Sequence, residues 1–253
     1  MIVIGLGSGR SGTASLAKLL NAQHDAAVFH EMAPSNVRFF GTPRPILNGI
    51  EEFQAILNGG DPSMVTVDLA REVSAKRYDE LSRMSRVSLI GDIAFYYLSY
   101  VDLIAERNPN VRFICLKRDR AATVRSWMQK SGLGHWRSKR IAERVSAAIT
   151  REPFHESRNF WMEHDGTKWK TDPVWDKCFP KFPGPTKKEA IEQYWDYYYE
   201  EAEKVAARHP AIFWIVVSDA VDNRDYQAKL LSFCGVPKDR QVYTDARIHR
   251  LAS

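Results

Sequence analysis

The stretch MIVIGLGSGRSGTASLAKLL, residues 1–20, runs from an apolar segment through a glycine-rich turn into a helical pattern. Ile2 to Leu6 reads as a short buried strand, Gly5 to Gly12 as the turn, and Thr13 to Asn21 as a helix with Leu16, Leu19 and Leu20 on one face. A helix that starts on such a turn offers unpaired N–H groups and a positive dipole end, so the arrangement predicts a bound phosphate or related anion. The Walker pattern fits poorly, because Arg10 and Ser11 follow Gly9 and Ile4 stands where its first glycine belongs. A strand ending in Asp92 would nevertheless suit a Mg²⁺-binding carboxylate of that class. The dinucleotide pattern G-x-G-x-x-G is met by Gly7, Gly9 and Gly12, with Glu31 near the position of a ribose-binding acid. Against it, Arg10, Ser11 and Thr13 crowd a turn meant for close backbone approach and suit a terminal anionic group better.

Beyond residue 20 the chain alternates strand and helix. Ala26 to Phe29 reads as a strand ending at His30 and Glu31; Val87 to Ile90 as another, ending at Gly91 and Asp92; Val111 to Leu116 and Ala211 to Val217 as two more. Helices are expected from about Phe95 to Arg107, from RDRAATVRSWMQK onward, over Lys139 to Thr150, over Lys188 to Arg208 and from about Arg224 to the FCGVP stop, where Gly235 suits a left-handed cap. This alternation predicts an α/β fold, a parallel sheet with helices on both faces and ligands at the strands' carboxyl ends. Residues 1–253 read as a single domain, with Ser131 to Lys188 as a helical and loop cap over the acceptor side; the fold of 32–86 is not legible. In the Lys188 to Arg208 helix, Ile191, Tyr194, Trp195, Tyr198, Ala202 and Val205 recur at helical spacing and read as core.

A 253-residue chain that is 44% hydrophobic buries a sizeable core. Its apolar start is too short for a signal peptide and no stretch reaches membrane-spanning length. Cys115, Cys178 and Cys234 are too scattered for a disulfide framework or a zinc site, and the seven histidines show no ligand spacing, so a cytoplasmic setting and no metal are expected. The formal charge of +5 is concentrated: Arg107 to Arg140 holds ten Lys or Arg against Asp119 alone, a candidate anion site. Five of the seven tryptophans follow closely (Trp127, Trp136, Trp161, Trp169, Trp175), but no nucleic-acid module accompanies them. Interleaved with cations, they suit a sugar or anionic glycan as well as they suit the cap's own core.

GSGRSGTASLAKLL resembles the 5′-phosphosulfate loop of sulfotransferases that use 3′-phosphoadenosine 5′-phosphosulfate (PAPS), in the carbohydrate and tyrosylprotein branch with Arg before Ser-Gly-Thr. FICLKRDRAATVRSWM is similar to that family's 3′-phosphate motif, with Arg118 after a strand and Ser126 eight residues on. GDIAFYYLSYVDLIAERNPNVRF and LLSFCGVP extend the likeness more loosely. The resemblance implies a three-layer fold like that of nucleotide kinases and transfer of a sulfuryl group from PAPS to an acceptor hydroxyl. It implies Gly9, Arg10, Ser11, Gly12, Thr13, Ala14, Arg118 and Ser126 as donor-binding residues, with Arg10 also catalytic. Glu31 is implied as the catalytic base, and His30 is its rival. Ile93 stands where many relatives have Lys and Ala14 where a second Thr is common, which leaves room for a non-catalytic phosphonucleotide-binding protein.

Overall fold

The computed structural model describes residues 1–32, 43–130, 145, 149 and 187–245. Five parallel strands form one sheet: β1 (Ile2–Leu6), β2 (Ala26–His30), β3 (Leu89–Ile93), β4 (Arg112–Lys117) and β5 (Phe213–Val217), in the order β2-β3-β1-β4-β5. Seven helices are described: α1 (Thr13–Asn21), α2 (Arg44–Leu57), α3 (Glu72–Ser82), α4 (Val101–Arg107), α5 (Arg120–Lys130), α6 (Lys187–Arg208) and α7 (Arg224–Phe233).

Strand alternation divides the core into two layers, one on each side of the sheet. Ile2, Ile4 and Leu6 of β1 join Ile46, Ile50 and Phe53 of α2 and Ile191, Tyr194 and Tyr198 of α6 on one face. Val3 packs on the other face with Leu16, Leu19 and Leu20 of α1 and Leu230 and Leu231 of α7. Each of these side chains contributes about 1.5–3 kcal/mol when fully buried, which is why both faces need helices. The expected α/β three-layer architecture is therefore observed.

Several boundaries differ from expectation, for physical reasons. β3 runs on through Gly91, Asp92 and Ile93, since Gly91 pairs with Val3 and Asp92 with Ile4 in the β1 ladder. The expected helix over 95–107 opens as a 3₁₀ segment, Phe95–Tyr100, that buries Tyr96, Tyr97, Leu98 and Tyr100 before α4 begins. In the stretch that sequence reading left open, α2 starts with Pro45 in its first turn and buries Ile46, Leu47, Ile50, Phe53 and Ile56 at helical spacing. Of the expected 139–150 helix, Val145 and Ile149 are described, both helical; the rest of the expected cap up to residue 186 lies outside the described residues.

The strand order sets where a ligand goes. After β1 the chain moves toward β2, and after β4 it moves toward β5, so the neighbouring ends of β1 and β4 form the crevice where such sheets bind ligands.

The tightest approach in the sheet is Gly91, where an added Cβ would stand within bonding range of the Val3 carbonyl oxygen. Gly91→Ala is expected to force β3 away from β1 and cost about 3 kcal/mol or more, at the upper end of overpacking penalties, read as a lowered urea midpoint.

Candidate functional site

The crevice is built first by the turn between β1 and α1. Gly9 (φ 74°), Arg10 (φ 56°) and Gly12 (φ 93°) all occupy the left-handed region, with Gly12 as the residue that opens α1. The Gly9 amide closes a tight turn on the Gly7 carbonyl at 2.7 Å, and the Gly12 carbonyl takes the amides of Ser15 and Leu16. The amides of Arg10, Ser11, Gly12, Thr13 and Ala14 find no acceptor among the described residues. They sit at the positive end of α1, an arrangement that binds anions.

Side chains far away in sequence hold that turn in shape. The Tyr198 hydroxyl accepts from the Gly7 amide (3.1 Å) and donates to the Phe95 carbonyl (3.0 Å). The Tyr199 hydroxyl donates to the Leu116 carbonyl (2.7 Å) and meets the Ser8 hydroxyl at 3.2 Å. The Ser218 hydroxyl donates to the Ser11 carbonyl at 2.5 Å. Trp127 of α5 lies against Gly9 so closely that a Cβ there would be 2.6 Å from its ring. The Ser11 hydroxyl is buried without a partner among the described residues, and an added Cβ on Gly7 would collide with it. Helical spacing marked Tyr198 as core, which it is, but the hydroxyl's task depends on a contact 191 residues away.

The second wall comes from the β4–α5 junction. Arg118 donates from Nη1 to the Arg10 carbonyl at 3.0 Å, and Arg10 donates from Nε to the Ser126 hydroxyl at 2.9 Å. The two anion motifs of the sequence thus meet. Neither guanidinium has a carboxylate partner among the described residues. Asp119 instead caps α5, accepting from the Ala122 amide at 2.8 Å, and Arg120 turns outward to Asp196 at 2.6 Å. Partial burial and the Arg118 charge both push the Arg10 pKa down. A cation that is desolvated beside another cation favours a bound anion.

The third wall is the end of β2. His30 reaches the Thr13 hydroxyl with Nε2 at 2.9 Å, while Glu31 pairs with Arg71 at 2.9 Å, both carboxylate and guanidinium about one-third exposed. β2 follows β1 in sequence, yet β3 stands between them in the sheet. The ladder ends at His30 and Glu31 enters the left-handed region (φ 55°), so strict alternation of faces does not extend across the two residues. Asp92, read as a Mg²⁺ ligand in the kinase alternative, is fully buried and accepts from two tyrosine hydroxyls and two amides. No group of three or more His, Cys, Asp or Glu side chains gathers among the described residues.

With this geometry in place, the sequence profile described as the sulfotransferase family matches residues 2–170, which span all three walls apart from the supporting hydroxyls of α6 and Ser218. The chain belongs to the sulfotransferase family. The crystal structure of a sulfotransferase from Alicyclobacillus acidocaldarius is similar, with 12% identity and a TM-score of 0.49 over 99% of this chain and 86% of that one. No curated protein sequence gives a match.

Both departures noted in the sequence find a place in this family member. Ile93 is fully buried in the layer of α1 and α7, and a Cβ on Gly5 would be 2.6 Å from it, so Gly5 and Ile93 form a packing pair. Ala14 lies in the first turn of α1, where its amide remains to bind. Trp136, Trp161, Trp169 and Trp175 lie outside the described residues.

Gly9→Ala adds a Cβ both at a positive φ and against the Trp127 ring. In a thermal-shift titration, inorganic pyrophosphate is expected to raise the Tm of the natural chain, and Gly9→Ala is expected to lose most of that rise.

Proposed function

We propose that the chain transfers the sulfuryl group of PAPS to an acceptor hydroxyl, releasing adenosine 3′,5′-bisphosphate. The observation that carries this reading is the pair Arg10 and Arg118, joined through the Arg10 carbonyl and Ser126, with no carboxylate partner among the described residues. PAPS carries two separate anionic groups, and the chain offers two anion sites at adjacent strand-to-helix junctions. The amides of Arg10 to Ala14 with the Arg10 side chain suit the 5′-phosphosulfate; Arg118 and Ser126 suit the 3′-phosphate. Gly9 lets the turn take its positive φ against the Trp127 ring and so shapes the loop for the ligand.

PAPS brings an activated sulfur whose leaving group is a phosphate. Negative charge grows on the bridging oxygen as the sulfur–oxygen bond breaks, and donors fixed there stabilise the transition state more than the ground state. Arg10 and the amides of Ser11, Gly12 and Thr13 supply them. The acceptor hydroxyl must shed its proton, and Glu31 is the proposed base, its carboxylate held in place by Arg71. His30, bonded to Thr13, is read as a support for the loop. These groups deliver catalysis without a metal. A glycan is the acceptor class favoured by the tryptophans and cations of 127–175. The described cysteines, Cys115 and Cys234, are free and buried, which supports a cytoplasmic setting; no described helix is long and apolar enough to cross a membrane.

A binding screen tests the donor: adenosine 3′,5′-bisphosphate is expected to raise the Tm, and stabilisation by NAD or MgATP but not by the bisphosphate would overturn the reading. Arg118→Ala is expected to weaken the bisphosphate by roughly 10- to 150-fold, the value of one charge-assisted hydrogen bond, with little change for AMP.

Turnover tests the chemistry, read as bisphosphate released from PAPS with a mixed panel of alcohols, phenols and glycosides. Arg10→Ala is expected to slow it about 100- to 1,000-fold. Glu31→Gln is expected to lose about 100- to 10,000-fold while binding the bisphosphate normally, and His30→Asn to lose much less. A larger loss from the His30 change would reassign the base.

A further inference from the structure

Asp92 is a buried carboxylate for which the proposed chemistry has no use. It sits near the end of β3, fully enclosed, and four donors converge on it. Its Oδ1 accepts from the Met32 amide at 3.1 Å and from the Ile93 amide at 2.9 Å. Its Oδ2 accepts from the Tyr96 hydroxyl at 3.1 Å and the Tyr97 hydroxyl at 2.9 Å. The tyrosines fix the carboxylate's rotation, and the carboxylate in turn fixes the Met32 amide.

Met32 directly follows Glu31, whose backbone is strained in the left-handed region at φ 55°. The Glu31 amide donates to the Ile93 carbonyl at 3.1 Å. Two consecutive residues of β3 therefore clamp the turn, Ile93 at the amide of Glu31 and Asp92 at the amide just after it. Arg71 meets the carboxylate at 2.9 Å from outside the sheet.

We propose that Asp92 is a positioning residue for Glu31: it acts as a buried double acceptor that holds the strained turn and so aims the base at the acceptor hydroxyl. This rests on the reading of Glu31 as the base. The role needs acceptor atoms and no negative charge. Burial, the largest influence on this carboxyl, raises its pKa, with the hydrogen bonds from Tyr97, Met32 and Tyr96 and the nearby His30 opposing. Asparagine keeps the acceptor that Met32 and Ile93 use, in its oxygen, while its NH₂ can only donate, so the two tyrosine hydroxyls turn from donors to acceptors there. A metal-binding or electrostatic role would instead require the carboxylate.

The test compares Asp92→Leu, Asp92→Asn and Glu31→Gln in the full chain, reading bisphosphate affinity, bisphosphate release from PAPS with the same acceptor panel, and exchange of the Met32 amide. Asp92→Leu is expected to bind the bisphosphate within about twofold, to exchange Met32 faster and to turn over about 10- to 100-fold more slowly, as for a small misplacement of a catalytic group. Asp92→Asn is expected to recover most of the turnover and the protection. Normal turnover in Asp92→Leu overturns the proposal, as does an Asn variant no better than Leu. Should Asp92→Leu fail to bind the bisphosphate, Tyr97→Phe decides: it is expected to slow turnover about 3- to 10-fold at unchanged affinity, the loss of one neutral hydrogen bond, and unchanged turnover overturns the proposal. Full turnover in Glu31→Gln removes the base reading and this inference with it, whereas a slow Glu31→Gln beside a normal Asp92→Leu removes this inference alone.

Discussion

Two guanidinium groups held together without a neutralising carboxylate among the described residues is the constraint around which the rest is arranged. Arg10 and Arg118 repel, and Arg10 is partly withdrawn from water, so the pair stays together only because the fold holds it there. It does so through the backbone: Arg118 bonds the carbonyl of Arg10, a residue already forced to a positive φ between Gly9 and Gly12. Ser126 takes the Arg10 Nε and gives the side chain a fixed direction. An anion placed between these groups would relieve both the repulsion and the desolvation, the physical ground for proposing this pair as the donor site.

Helix α6 carries much of the burden of holding that arrangement. Within one turn and a half it presents Trp195 to the Arg118 carbonyl, Tyr198 to the Gly7 amide and Tyr199 to the Leu116 carbonyl and Ser8. The aromatic bodies pack edge-to-face or tilted against one another, while the polar tips reach backbone groups of the glycine-rich turn and of the end of β4. One helix therefore fixes two of the three walls of the crevice, and it is also the helix that follows the 131–186 stretch in sequence. Its hydroxyls satisfy buried amides and carbonyls that would otherwise be costly, so stability and site geometry rest on the same bonds.

The end of β3 does the same for the opposite wall by a different means. Gly91 lets the strand approach β1, Ile93 fills the space left by Gly5, and Asp92 turns its carboxylate into the other layer to gather four donors. Three successive residues thus serve strand pairing, core packing and the turn that carries His30 and Glu31. Those two side chains part company there, one to the hydroxyl of Thr13 and one to Arg71.

The alternating apolar runs and helical faces of the sequence determined the parallel α/β class, because a strand with apolar residues on both faces must be covered by helices on both sides. The local spacing around Gly7, Gly9 and Gly12, and of Arg118 to Ser126, marked two strand-to-helix junctions as the proposed anion sites, since N-terminal amides and nearby cations act over a few residues. Tertiary structure alone decided what depends on distant contacts. It placed β3 between β1 and β2, so that chain order misleads about which strand ends are neighbours. It joined Arg10 to Ser126 across 116 positions and brought Tyr198 and Tyr199 to the loop across 191. Asp92 shows the limit most plainly: a strand followed by an acid looks the same in sequence whether the carboxylate faces a ligand or the core. Which it does depends on Tyr96, Tyr97 and the Met32 amide, groups whose convergence no spacing rule encodes.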